Sequence, residues 1–120
     1  SLFVDITTGN RVQMIWNPAG HGAHPIHVHG YKFVVMAVHE AHASRCSYAE
    51  CNDPADWFAW PVDRQKLDAS PSRFVLKDTV VLPFGGYVVV RLLADNPGHW
   101  MAHCHTDYHL ADGMGIIIRD

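Results

Sequence analysis

The chain has 120 residues, of which 48% are hydrophobic and 18% charged, and a formal net charge of -3. That composition argues against disorder, and the length allows one domain with a sizeable core but not two. The weak negative charge gives no reason to expect nucleic acid or an anionic membrane as partner, and no apolar run approaches the roughly 20 residues of a membrane span.

The N-terminal residues Ser1, Leu2, Phe3, Val4 and Asp5 lack the basic and then apolar pattern of a signal peptide. Short runs rich in Val, Ile, Leu and aromatics predict strands at 3–7, 11–16, 31–39, 79–82, 87–94, 99–104 and 115–119. Turn signals separate them: Thr8-Gly9-Asn10, Asn17-Pro18-Ala19-Gly20, Pro83-Phe84-Gly85-Gly86 and Asp95-Asn96-Pro97-Gly98. Seven or eight strands at this spacing, with no long amphipathic helix, predict an all-β, antiparallel Greek-key β-sandwich. One stretch breaks the rhythm. Residues 40–73 lose alternation and gather Pro54, Pro61 and Pro71 around Trp57, Phe58 and Trp60, which predicts a long irregular loop. It either folds over its own domain or presents a patch to a partner.

The histidines carry the chemistry. Six of the ten fall in two clusters, His24-Pro25-Ile26-His27-Val28-His29 and His103-Cys104-His105-Thr106-Asp107-Tyr108-His109. Cys104, His109 and Met114 follow one another at equal spacing. With His24 they supply the two imidazoles, thiolate and weak thioether of a blue-copper centre. Structural zinc prefers four strong ligands, so this donor set favours a metal that cycles between soft and borderline oxidation states. Apolar neighbours such as Leu110 and Ile116 would exclude water from it. His24, followed by Pro25, is expected at the turn entering its strand. The 105–114 stretch is expected as a loop that delivers the other ligands.

Side chains alternate along a strand, so His103 and His105 share one face while Cys104 points to the other. His27 and His29 likewise share a face. The four histidines that the copper centre does not use therefore form a second, opposite-facing set, joined to the first through Cys104. Nucleophilic catalysis by Cys104 with a histidine base would leave five clustered histidines unexplained. Asp5, Asp78, Asp107 and Asp112 form no carboxylate pair by spacing, so hydrolytic acid–base chemistry has no support. His21, His39, His42 and His99 lie outside the pattern, as surface or packing residues.

Three cysteines leave one odd. With Cys104 in the metal cluster, Cys46 and Cys51 are natural mates for a disulfide, which points to an oxidising, secreted or extracellular setting. A zinc site of His39, His42, Cys46 and Cys51 is the rival reading.

The stretches His24-Pro25-Ile26-His27-Val28-His29-Gly30, Asn96-Pro97-Gly98-His99-Trp100-Met101-Ala102-His103-Cys104-His105 and His109 through Gly113-Met114 resemble the C-terminal cupredoxin domain of multicopper oxidases, the family of laccases and ferroxidases. The stretch Lys77-Asp78-Thr79-Val80 to Gly85-Gly86-Tyr87 resembles laccase-like members too. The resemblance implies one cupredoxin domain over 1–120. In it His24, Cys104, His109 and Met114 hold type 1 copper, His27 belongs to type 2 copper, and His29, His103 and His105 belong to the type 3 pair. Electrons from a small reducing substrate (a phenol, aromatic amine, ascorbate or ferrous iron) would pass from Cys104 to His103 and His105, and oxygen would be reduced to water. Tyr31 departs from the family, in which many members have another His after the glycine, and a Met at the axial position implies a lower potential than Leu or Phe there. The trinuclear cluster of the family needs eight histidines, and this chain has half. The rest are expected from other cupredoxin domains of the same oxidase or from further copies of this chain. The alternative is a stand-alone blue-copper electron carrier.

Overall fold

The computed structural model describes residues 2–17, 23–39, 75–83, 86–111 and 113–120. They form nine strands and one short helix: β1 (Leu2–Asp5), β2 (Arg11–Trp16), β3 (His24–Val28), β4 (Phe33–His39), β5 (Leu76–Lys77), β6 (Thr79–Leu82), β7 (Tyr87–Leu93), β8 (His99–Cys104), α1 (Asp107–Ala111) and β9 (Gly115–Arg119). A five-stranded sheet runs β1-β9-β8-β3-β6, and a four-stranded sheet runs β2-β7-β4-β5. All pairs are antiparallel except β1 and β9, which run parallel and bring the two ends of the chain side by side. This is the predicted two-layer sandwich, with one parallel edge that local patterning could not foretell.

Alternation builds the core. Val88, Val90 and Leu92 of β7 and Phe33 of β4 face Val28 of β3, Leu82 of β6, Ala102 of β8 and Ile118 of β9, all buried. Trp16 meets Phe33 edge to face, with ring centroids 5.4 Å apart. A bulge between Val35 and Ala37 shifts the register of β4 against β7. Met36, the bulge residue, joins Tyr87 and Val89 in a second buried cluster. Burying each such side chain stabilises the fold by about 1.5–3 kcal/mol.

Two differences from the sequence reading bear on the histidine clusters. His24 is the first residue of β3 and not part of a turn. Pro25 offers no N–H to the ladder, but its carbonyl accepts from the His105 N–H at 2.7 Å, so the strand continues through it. The 105–114 stretch contains a helical turn. Thr106 and Asp107 are the residue types that favour a helix start, and Gly113, at φ 91°, turns the chain out of the helix into β9. The expected loop at 40–73 and the cysteines Cys46 and Cys51 within it lie outside the described residues, as do His21 and His42. So does the rival zinc set, of which only the backbone of His39 is described.

Candidate metal centre

β3 and β8 are neighbours, paired Ile26 to Cys104, His27 to His103 and Val28 to Ala102. Because pleating alternates side chains, this register alone sorts the histidines. His24, Ile26 and Val28 share the inner face with Ala102 and Cys104. His27, His29, His103 and His105 share the outer one.

On the inner face His24 is 1% and Cys104 0% exposed. His109, on α1, is half-buried and closes the group from above the sheet. His24 Nδ1 lies 3.2 Å from His109 Nδ1, and Cys104 Sγ lies 3.7 Å from His24 Nδ1 and 3.5 Å from His109 Nδ1. The centre of such a triangle is about 2 Å from each donor, close to ordinary metal–nitrogen and metal–sulfur bond lengths. Two imidazoles and one thiol converging in a buried site fit copper, and this His-Cys-His group is compatible with a type 1 site. Met114 is locked to both neighbours through its backbone. Its N–H donates to the His109 carbonyl at 3.0 Å, and its carbonyl accepts from the Cys104 N–H at 3.1 Å. Its side chain is 36% exposed and lines an apolar cleft of about 140 Å³ with Trp16, Ile26 and Leu82.

The outer face is a surface of imidazoles. Ring centroids are 4.8 Å apart for His27 and His29, 5.1 Å for His29 and His103, and 5.8 Å for both His27 with His103 and His103 with His105. His29 Nε2 and His103 Nε2 are 2.9 Å apart. Carbonyls fix two of the tautomers. His27 Nδ1 lies 3.0 Å from the Asp78 carbonyl and His103 Nδ1 2.9 Å from the Cys104 carbonyl. A carbonyl only accepts, so each Nδ1 carries the proton and each Nε2 keeps its lone pair for a metal. The pKa of His29 is lowered, first by desolvation among its neighbours and then by repulsion from His27, His103 and His105. That shift favours the neutral ring, the form that ligates metal.

Asp78 and Thr79 escaped the sequence reading as site residues. The Thr79 hydroxyl sits 3.0 Å from His27 Nδ1 and donates to Asp78 Oδ1 at 3.0 Å. The signal that could have found them was the stretch Lys77-Asp78-Thr79-Val80, which resembles laccase-like members and leads into β6, the strand beside β3. His99 is exposed on β8, as expected of a residue outside the pattern.

Comparison with known proteins gives the family and the fold. A family model described as multicopper oxidase matches residues 2–119. The chain is 34% identical over 112 residues to the iron transport multicopper oxidase FET3 of Candida albicans, covering 92% of this chain and 16% of that protein. It is 39% identical over 97 residues to Laccase-24 of Oryza sativa subsp. japonica, covering 81% of this chain and 14% of that protein. The crystal structure of a laccase from Botrytis aclada superimposes with a TM-score of 0.71 at 24% identity, over 98% of this chain and 19% of that one. The fold is thus cupredoxin-like, and the chain belongs to the multicopper oxidase family, whose members use copper. It spans 14–16% of the length of these curated relatives.

Proposed function

We propose that this chain is the type 1 copper domain of a laccase-like multicopper oxidase, and that it presents half of a trinuclear site to a partner domain. The observation that carries this is the back-to-back arrangement of a closed His24–Cys104–His109 group and an open four-imidazole face across the same two strands. In this reading His24, Cys104, His109 and Met114 hold type 1 copper, His27 serves type 2 copper, and His29, His103 and His105 serve the type 3 pair. Bound copper supplies one-electron redox chemistry at the inner group and, at the outer group once completed, the reduction of oxygen to water.

The residues divide the work. His24, at 1% exposure, is sealed from a donor, so the half-buried edge of His109 is the entry point. Cys104 gives a covalent path from Sγ through its backbone to His103 and His105. The bond from His103 Nδ1 to the Cys104 carbonyl adds a shorter branch to that path. Asp78 and Thr79 orient His27, as outer-shell partners do for metal-binding imidazoles.

The missing histidines come from other cupredoxin domains of the same oxidase or from further copies of this chain. The relatives' much greater length favours the former and speaks against a stand-alone carrier. The reducing substrate is a small donor of the phenol, aromatic amine or ferrous iron class; similar proteins are named as laccases and as iron transport oxidases. A secreted or extracellular setting and a disulfide between Cys46 and Cys51 complete the proposal. No helix among the described residues is long and apolar enough to cross a membrane. The test is copper per chain with oxygen consumption, measured on the full-length oxidase. Several coppers per chain with oxygen uptake are expected, whereas one copper and no uptake would establish the carrier instead.

A further inference from the structure

His27 and His103 are each anchored through Nδ1 by a carbonyl, but His29 has no such anchor among the described residues. Among those residues its ring meets only other imidazoles. Its backbone, in contrast, is held on both sides. The His29 N–H donates to the Met101 carbonyl at 2.8 Å, and the carbonyl of the next residue, Gly30, accepts from Asn96 Nδ2 at 2.8 Å.

We propose that Asn96 is a positioning residue for His29, acting through Gly30. Asn96 is itself fixed by its backbone. Its carbonyl lies 2.8 Å from both Trp100 Nε1 and the Tyr31 hydroxyl, and that hydroxyl also lies 2.5 Å from Asp120 Oδ2. Asp120 in turn accepts from the Thr8 hydroxyl at 2.6 Å and pairs through its backbone with Gly98. The side-chain amide of Asn96 is therefore aimed from a rigid support. Gly30 receives it at φ 74°, a conformation that L side chains rarely adopt, and a Cβ there would collide with the Trp100 indole. The turn from β3 to β4 closes onto that indole and is latched by the amide. The peptide group before His29 and the one after Gly30 are both pinned, which narrows the backbone that aims the His29 ring, and the ring is aimed without a carbonyl partner of its own. For His29, the backbone latch replaces the ring-to-carbonyl bond that orients its neighbours.

The proposal rests on reading His29 as a metal ligand, and the experiment separates the two claims. The isotope-labelled, metal-free 120-residue chain is compared by NMR with Asn96→Ala and Asn96→Asp, following each imidazole and the core methyl groups. Asn96→Asp keeps the shape and the backbone contacts but removes the donor, so it provides the test even if the alanine variant fails to fold. In both variants the His29 resonances should shift and show a mobile ring, while His27, His103 and the Ile118 methyls keep theirs. Zinc(II) titration read at the His29 signals should show an affinity about 10-fold weaker in the variants than in the parent chain. A His29 ring that is unmoved in Asn96→Asp, or one that moves only together with the whole core, overturns the positioning role. A ring displaced in the variants but never perturbed by zinc in the parent chain upholds the positioning and sinks the ligand reading.

Discussion

Two clusters of candidate metal ligands lie on opposite faces of the same pair of strands, and they are built by different means. The inner group is finished: His24 and Cys104 are buried, His109 closes over them, and all three donor atoms fall within 4.8 Å of one another. The outer group is a row of imidazoles spread over a solvent-facing sheet, with His29 and His105 exposed and His27 and His103 half-buried. A buried polar group is tolerated only where partners meet it, and in the inner group His24 and Cys104 meet His109 and one another. A surface set has no such constraint and can await a partner. On the proposed reading, the contrast gives this domain the electron intake whole and only half of the oxygen site.

The comparison is broken most severely at its shared residue. Cys104→Ser should abolish the intense blue colour of the copper-loaded protein while leaving the outer imidazoles able to bind a divalent ion. Persistence of that colour in an absorption spectrum would refute the thiolate assignment. His27→Ala works the other way: the blue colour stays, and affinity at the outer face falls by more than the 10–100-fold typical of an outer-shell loss. Isothermal titration of the Cys104→Ser background reads that face in isolation. Thr79→Val removes the hydroxyl beside His27 Nδ1 but leaves the Asp78 carbonyl, so a drop of about 10-fold, at the low end of that range, is expected in the same titration.

The smallest effect concerns acid stability. Bonds from Thr8 and then Tyr31 hold the Asp120 carboxyl below its ordinary value of 3.8. A carboxyl depressed on folding contributes stability that is fully present above the unfolded value and is lost as pH falls through the folded one. Denaturant midpoints should therefore decline below about pH 4, and Asp120→Asn should flatten that decline. An unchanged slope in the variant would remove Asp120 from the account.

Much of this was legible because strands alternate. β2, β6, β8 and β9 fall on their predicted residues, and the opposite facing of Cys104 and His103 needed nothing beyond a period of two. His24 was expected at a turn because Pro25 suggested a break. In the sheet, the Pro25 carbonyl still pairs with His105, and His24 faces inward simply as the residue two before Ile26. The helical turn at Asp107–Ala111 is too short for any periodicity to show. The parallel pairing of Leu2 with Ile116 joins residues at opposite ends of the chain, where local patterning has no reach. Asp78, Thr79 and Asn96 act through hydrogen bonds to other residues' rings and carbonyls, which spacing does not reveal.

The central claim is that one face is whole and the other is half built. Copper titration of the isolated 120-residue chain, followed by absorption and paramagnetic resonance, tests it most directly. The first equivalent should bind tightly and turn the protein blue, and further equivalents should bind weakly, without blue colour and without oxygen consumption. A colourless first equivalent, or tight multiple binding with oxygen uptake by the single chain, would contradict it.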